Sequence, residues 1–217
     1  MPTAVFDMIG TLFRLDRLKE AFEERGVPGA GVDLWLASSL RDYMAISYAG
    51  GFIPLGRVLA ARLPSVFDAY GHEATDEVAA AVMGRFGELK PDPGAAEGCE
   101  ALAGAGWRML VLTNGSESLA RTLLSRSGLD RHMSAVLSCE SISVAKPHWR
   151  VYEYGATHAH GQPWMVASHP WDLYGAAQAG MRTALVGSTA PPLFPAPDAA
   201  GADIAGAARA MIDASGP

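Results

Sequence analysis

The first apolar run of the chain, Ala4 to Phe6, ends at Asp7 and breaks at Gly10, the pattern of a short buried strand running into a tight loop. From Leu15 to about Gly87 the period changes. LDRLKEAFEE, LWLASSLRDYMAI and DEVAAAVMGRF carry apolar residues at helical spacing, broken at Gly26 to Gly31, Gly50 to Pro54 and Gly71. After KPDPG the pattern alternates: helix 95–105, strand 107–112, helix 117–127, strand 135–138, helix 150–158, strand 164–167, helix 172–179 and strand 183–186. This alternation predicts an α/β fold, a Rossmann-like parallel sheet with helices on both faces. The strand at Ala4 must join that sheet, since alone it could not satisfy its backbone groups. The expected organisation is therefore a core domain of residues 1–13 and 88–217 with an all-helical cap domain, residues 14–87, inserted into it. TAPPLFPAPDAAGAD, from Thr189 to Asp203, is expected to be a loose surface excursion before a last helix over 204–212.

Composition narrows the classes. The 217 residues are 49% hydrophobic and 18% charged, too apolar for a disordered chain. A formal charge of -6 with no basic stripe argues against a nucleic-acid partner. No segment has the roughly 18 uninterrupted apolar residues of a membrane span, and the opening MPTAVFDMIG lacks a basic leader pattern, so a soluble, cytoplasmic protein is expected. Cys99 and Cys139 form neither a disulfide framework nor a zinc-ligand pattern and are expected to be idle thiols.

In an open parallel sheet the chemistry gathers where strands end. Here the strand ends carry Asp7, Gly10 and Thr11; then Thr113, Asn114, Gly115 and Ser116; then Lys146 and Pro147 before a helix; and lastly Ser168, His169 and Asp172. Each alone is as well explained by a cap or a turn. Joined in this order they resemble the haloacid dehalogenase superfamily, whose four motifs look like FDMIGTLF, VLTNGS, AKPHWRVY and VASHPWDLYGAAQAGM here. Within the superfamily the likeness is to the type II L-2-haloacid dehalogenases, through GTLF after the Asp, KPxxRVY around the Lys, and WD before a Gly-Ala helix.

The resemblance implies a metal-independent hydrolase of carbon-halide bonds, without a cofactor, acting on a small-molecule 2-halocarboxylate to release halide and a 2-hydroxy acid. Asp7 is the implied nucleophile. Thr11 and backbone amides fix its attacking oxygen, Lys146 holds its charge, and water cleaves the resulting ester with help from Asp172. Substrate contacts are implied for Met8, Ile9, Thr113, Asn114, Tyr152, Ser168 and His169.

One position separates the family's reaction classes, and three others depart from the dehalogenase pattern. Superfamily phosphatases usually carry an acid two residues after the nucleophile, and here it is Ile9, which cannot transfer a proton. The fourth motif offers Ala167 and His169 where a Ser and an Asn are expected, and His169 either positions the hydrolytic water or binds a substrate acid group, or merely caps the following helix or bonds a backbone group. The early cap Arg that receives halide is replaced by Leu36, and Arg14 and Arg41 are expected to be solvated surface residues instead. The alternatives are a magnesium-dependent phosphatase of a small phosphate ester, and a non-catalytic member of the family. Met44, Met83, Phe52, Phe67 and Phe86 are expected in the cap core or pocket roof, and the cap's apolar helices make a homodimer possible.

Overall fold

The computed structural model describes residues 1–187 and 191–216. Six strands form one parallel sheet: β1 (Thr3–Phe6), β2 (Arg108–Thr113), β3 (Ala135–Ser138), β4 (Pro163–Ala167), β5 (Arg182–Val186) and β6 (Ala199–Gly201), in the spatial order β3-β2-β1-β4-β5-β6. Every residue of β1 is buried, as expected of a central parallel strand covered on both faces. The chain order reverses on either side of β1, so the loops after β1, β2 and β4 open into one crevice.

Four helices lie between β1 and β2 ahead of the fifth: α1 (Asp16–Glu23), α2 (Ala30–Tyr48), α3 (Leu55–Ala69) and α4 (Asp76–Gly84). No strand interrupts them. Their two stems meet where Arg14 N–H donates to Lys90 C=O and Asp92 N–H to Leu12 C=O, beside an antiparallel bridge of Phe13 and Pro91. Phe22, Trp35 and Phe67 pack ring on ring inside the helical segment. Trp35 donates its indole N–H to Leu59 C=O at 2.9 Å, so the polar atom of this buried ring is satisfied across α2 and α3.

The remaining helices are α5 (Ala95–Gly104), α6 (Glu117–Ser127), α7 (Trp149–Thr157), α8 (Pro170–Gln178) and α9 (Ile204–Ser215). Ser116 caps α6 by accepting from Leu119 N–H, and Pro170 opens α8 where a backbone donor is not needed. Both caps lie at strand-to-helix turns, which fixes the polar loops around the crevice.

One expectation fails in the tail. Residues 199–201 are not part of a loose excursion but the edge strand β6, parallel to β5 and covered by α9. A Cβ on Gly201 would stand 2.0 Å from Ala207 N, so only a glycine lets α9 lie this close. Thr189 and Ala190, the start of that predicted excursion, fall outside the described residues. No helix among the described residues is long and apolar enough to cross a membrane.

Candidate active site

Asp7 follows β1 directly, and its backbone N–H still pairs with Val166 C=O of β4. The carboxylate therefore projects from the last fixed point of the sheet. Lys146 Nζ donates to Asp7 Oδ1 at 3.0 Å, and Thr11 Oγ1 donates to Asp7 Oδ2 at 2.8 Å. Ser168 N–H donates to the same Thr11 oxygen at 3.0 Å, which turns the Thr11 proton towards Asp7. Thr11 directly follows Gly10 in a turn closed by Gly10 N–H to Phe13 C=O, with Gly10 at φ 84°. The positive φ favours glycine here, and a Cβ would also crowd His169 Nε2 at 3.0 Å.

Lys146 is completely buried and reaches a second carboxylate, Asp172 Oδ2, at 2.8 Å. Tyr152 donates its hydroxyl to the other Asp172 oxygen at 2.6 Å. Burial alone pushes the Lys146 ammonium down, but Asp172 and Asp7 more than offset this and it lies above the ordinary lysine value. Burial likewise raises Asp7, and the charge of Lys146, with His169 and the Thr11 hydroxyl, brings it below the usual carboxylate value. Asp172 goes the other way, raised by burial and by Asp7. One cation thus serves two carboxylates of unequal proton affinity, Asp7 having the lower.

A cavity of about 430 Å³ opens above Asp7. Ile9, Thr113, Asn114, His169 and Trp171 line it from the sheet side, and Leu36, Leu40, Leu59, Met83 and Phe86 from the helical segment. Asn114 Oδ1 accepts from Lys146 N–H at 3.0 Å, so that side chain also fixes the lysine loop. His169 Nε2 donates to Ile9 C=O at 3.2 Å, lies 3.8 Å from Asp7 Oδ2, and stacks flat on Trp171. Its side chain does not cap α8, but it does bond a backbone group, the Ile9 carbonyl, as one of the two plain readings of this residue expected.

Several expected contacts lie elsewhere. Met8 does not line the cavity; its side chain is buried in the apolar core, and only its carbonyl works, accepting from Thr11 and Phe13 N–H. Tyr152 is sealed from the cavity and bonded to Asp172. Ser168 contributes its backbone N–H to Thr11 rather than a cavity wall. Asp172 is buried with both oxygens engaged, so it faces Lys146 and not the cavity. Arg14 and Arg41 are exposed and paired with Asp16 and Asp42, as expected of surface residues. Of the five side chains expected in the cap core or roof, Met83 and Phe86 line the cavity, Phe67 is core, Phe52 packs on Tyr43, and Met44 is half-buried on α2 without lining the cavity. Arg57, Leu40 and Glu140 also line the cavity and were not singled out in the sequence; helical periodicity shows a face, not which neighbour that face meets.

A family model of haloacid dehalogenase-like hydrolases matches residues 1–180. The chain belongs to the haloacid dehalogenase-like hydrolases. Among curated members of this hydrolase family, the haloacetate dehalogenase H-2 of Moraxella sp. is 29% identical over 182 residues, covering 81% of this chain and 80% of that protein. The (S)-2-haloacid dehalogenase 4A of Burkholderia cepacia is 33% identical over 105 residues, a stretch that spans 47% of this chain and less than half, 46%, of that protein. The solved structure of the L-2-haloacid dehalogenase from Xanthobacter autotrophicus superposes with a TM-score of 0.84 at 23% identity, covering 96% of this chain and 97% of that one, which establishes the shared fold.

The donor set does not fit a divalent cation of the kind that family phosphatases use. The two buried carboxylates of the site, Asp7 and Asp172, are bridged by Lys146. Ile9 offers no side-chain oxygen, and its carbonyl is taken by His169. Among the described residues no group of three or more His, Cys, Asp or Glu side chains could hold a metal ion.

Proposed function

We propose that the protein is a 2-haloacid dehalogenase, and that Asp7 is its nucleophile. The observation that carries this reading is the pairing of Asp7 with Lys146 and Thr11 at 3.0 and 2.8 Å while the neighbouring position is the inert side chain of Ile9. A carboxylate so held is charged, partly desolvated and fixed in direction, which suits attack on a carbon. Departing halide needs no proton, so Ile9 costs nothing in this chemistry, whereas an alcohol leaving from a phosphate ester would lack its acid.

One Asp7 oxygen attacks the halogenated carbon, the carbon-halogen bond breaks, and halide leaves with the bonding pair. The product is an Asp7 ester. Water then adds to the ester's Cγ, and the negative charge that develops on the oxygen that did not attack is met by the donor already at it, Lys146 at Oδ1 or the Thr11 hydroxyl at Oδ2. Collapse expels the alkoxide, which takes the proton removed from the water and leaves as the 2-hydroxy acid, and the carboxylic acid left on Asp7 loses the water's second proton to solvent, restoring the carboxylate.

The proton of the attacking water needs an acceptor. Asp172 was the expected one, but its two oxygens are occupied by Lys146 and Tyr152. In this reading Asp172 is a positioning residue for Lys146, and His169 serves the water. Its Nε2 edge faces Asp7, 3.8 Å from Oδ2, and in the tautomer protonated on Nδ1 the Nε2 lone pair, released from Ile9 C=O, is the acceptor. Asn114, through its amide N–H₂, and Thr113 orient the substrate carboxylate or halide.

The test is halide release from chloro-, bromo- and fluoro-carboxylates with and without chelator, comparing the native protein with Asp7→Asn. Release that survives chelator and is lost in Asp7→Asn supports this reading. Absence of release across the panel, or release restored only by magnesium, overturns it.

A further inference from the structure

We propose that Arg57 is the anion receptor of the cavity, and that the cavity is shaped for monocarboxylates whose apolar chain is longer than that of a two- or three-carbon acid. The proposal rests on the functional reading above for the chemistry done on the ligand, but not for its binding.

Charge makes the first part of the case. An anionic ligand must approach Asp7, itself a carboxylate, and the ammonium nearest to it is already divided between Asp7 and Asp172. Position 36, half-buried on α2 and lining the cavity, is a leucine and offers no charge. The helical segment holds seven arginines. Arg14, Arg17, Arg25, Arg41, Arg62 and Arg85 each have an acidic partner in Asp16, Glu20, Glu24, Asp42, Asp42 and Glu88 respectively. Arg57 alone, among the described residues, has none, and of the seven it alone lines the cavity. It stands in the first turn of α3, the helix packed against α2, so the cation missing from one helix is present on its neighbour. Glu140, the other acid on the cavity wall, makes no ion pair with it and is not a competitor for the guanidinium.

Shape makes the second part. At roughly 30 Å³ per water the cavity would hold more than a dozen waters, and its volume falls in the range of sites that enclose ligands well above the size of acetate. Its walls away from Asp7 are Leu36, Leu40, Leu59, Met83, Phe86 and Leu119. A short acid leaves most of that apolar surface facing water, and each further methylene covers part of it at a gain of about fourfold in affinity.

The experiment is calorimetric titration of the native protein and Arg57→Gln with acetate, hexanoate and hexanol. None carries a halogen, so the result does not depend on dehalogenation. Hexanoate is expected to bind at least tenfold more tightly than acetate. Arg57→Gln should weaken hexanoate about threefold to tenfold, the range for a solvent-screened charge contact, and leave hexanol unchanged. Leu36→Arg added to Arg57→Gln should recover hexanoate binding, because it returns a cation to the adjacent helix. If Arg57→Gln does not fold, the salt dependence of the native protein decides: hexanoate affinity must fall with salt while hexanol affinity holds. Equal affinity for acetate and hexanoate overturns the size claim. Unchanged hexanoate binding in Arg57→Gln, or salt-independent binding of hexanoate, overturns the role of Arg57. Halide release with weak, Arg57-independent binding would sink this proposal alone; strong binding without halide release would sink the dehalogenase reading alone.

Discussion

The Tyr152 hydroxyl donates to Asp172 Oδ1 at 2.6 Å, inside the protein and out of contact with the cavity. The pair stands behind Lys146 and holds it towards Asp7. Burial and the neighbouring carboxylate raise the Tyr152 phenol well above its ordinary value, so it remains a donor throughout the working range.

Tyr152→Phe removes that donor and no cavity wall. Stability should fall by about 1.5 to 3 kcal/mol, the range for losing a hydrogen bond to a charged group. Turnover should drop with KM within about twofold, because Lys146 loses its alignment while the substrate pocket is untouched. Steady-state kinetics beside a denaturant melt checks both, and a rise in KM with unchanged kcat would place Tyr152 against substrate instead.

Lys146→Met strands two buried carboxylates. At neutral pH it should cost about 3 to 5 kcal/mol of stability. The sign of its pH dependence follows from the native shifts. Asp7 lies below 3.8 when folded, so its stabilisation is present above 3.8 and is lost as pH falls through the lower, folded value. Lys146 lies above 10.5 when folded, so its contribution is complete below 10.5 and fades only in stronger alkali. Without the lysine both carboxyls shift upwards, and the gap between variant and native protein should narrow on acidification towards about pH 4. Thermal melts across pH measure it; a gap that widens in acid contradicts the assignment.

His169→Ala leaves Asp7, Lys146 and Thr11 in contact but removes the acceptor for the hydrolytic water. Halide should appear in a burst close to one equivalent per site, followed by slow release, with the ester visible as a mass increase on the intact protein. Loss of the burst itself would move His169 to the first step.

How much of this was visible in the chain depended on what each residue does. Asp7, Thr11, Asn114 and Lys146 could be placed because strand ends in a parallel sheet converge and because their order along the chain resembles the family's motifs; Asp7 and Asn114 directly follow their strands. β6 could not: Ala199, Ala200 and Gly201 carry no β-branched residue, and their strand exists because β5 offers an edge and α9 covers it. Met8 and Tyr152 lie in matching motifs, yet a motif records spacing and not which side of the backbone faces the cavity. Arg57 sits in an ordinary amphipathic stretch, and only the meeting of α2, α3 and the crevice gives it meaning.

The central claim, covalent catalysis by Asp7, is tested most directly by a single turnover in water enriched in oxygen-18, with protein in excess over a 2-halocarboxylate. If Asp7 attacks carbon and water attacks the ester, the first 2-hydroxy acid released carries unlabelled oxygen and the label is found in the peptide containing Asp7. Labelled product with an unlabelled Asp7 peptide would mean that water attacks the carbon itself, and would contradict the account.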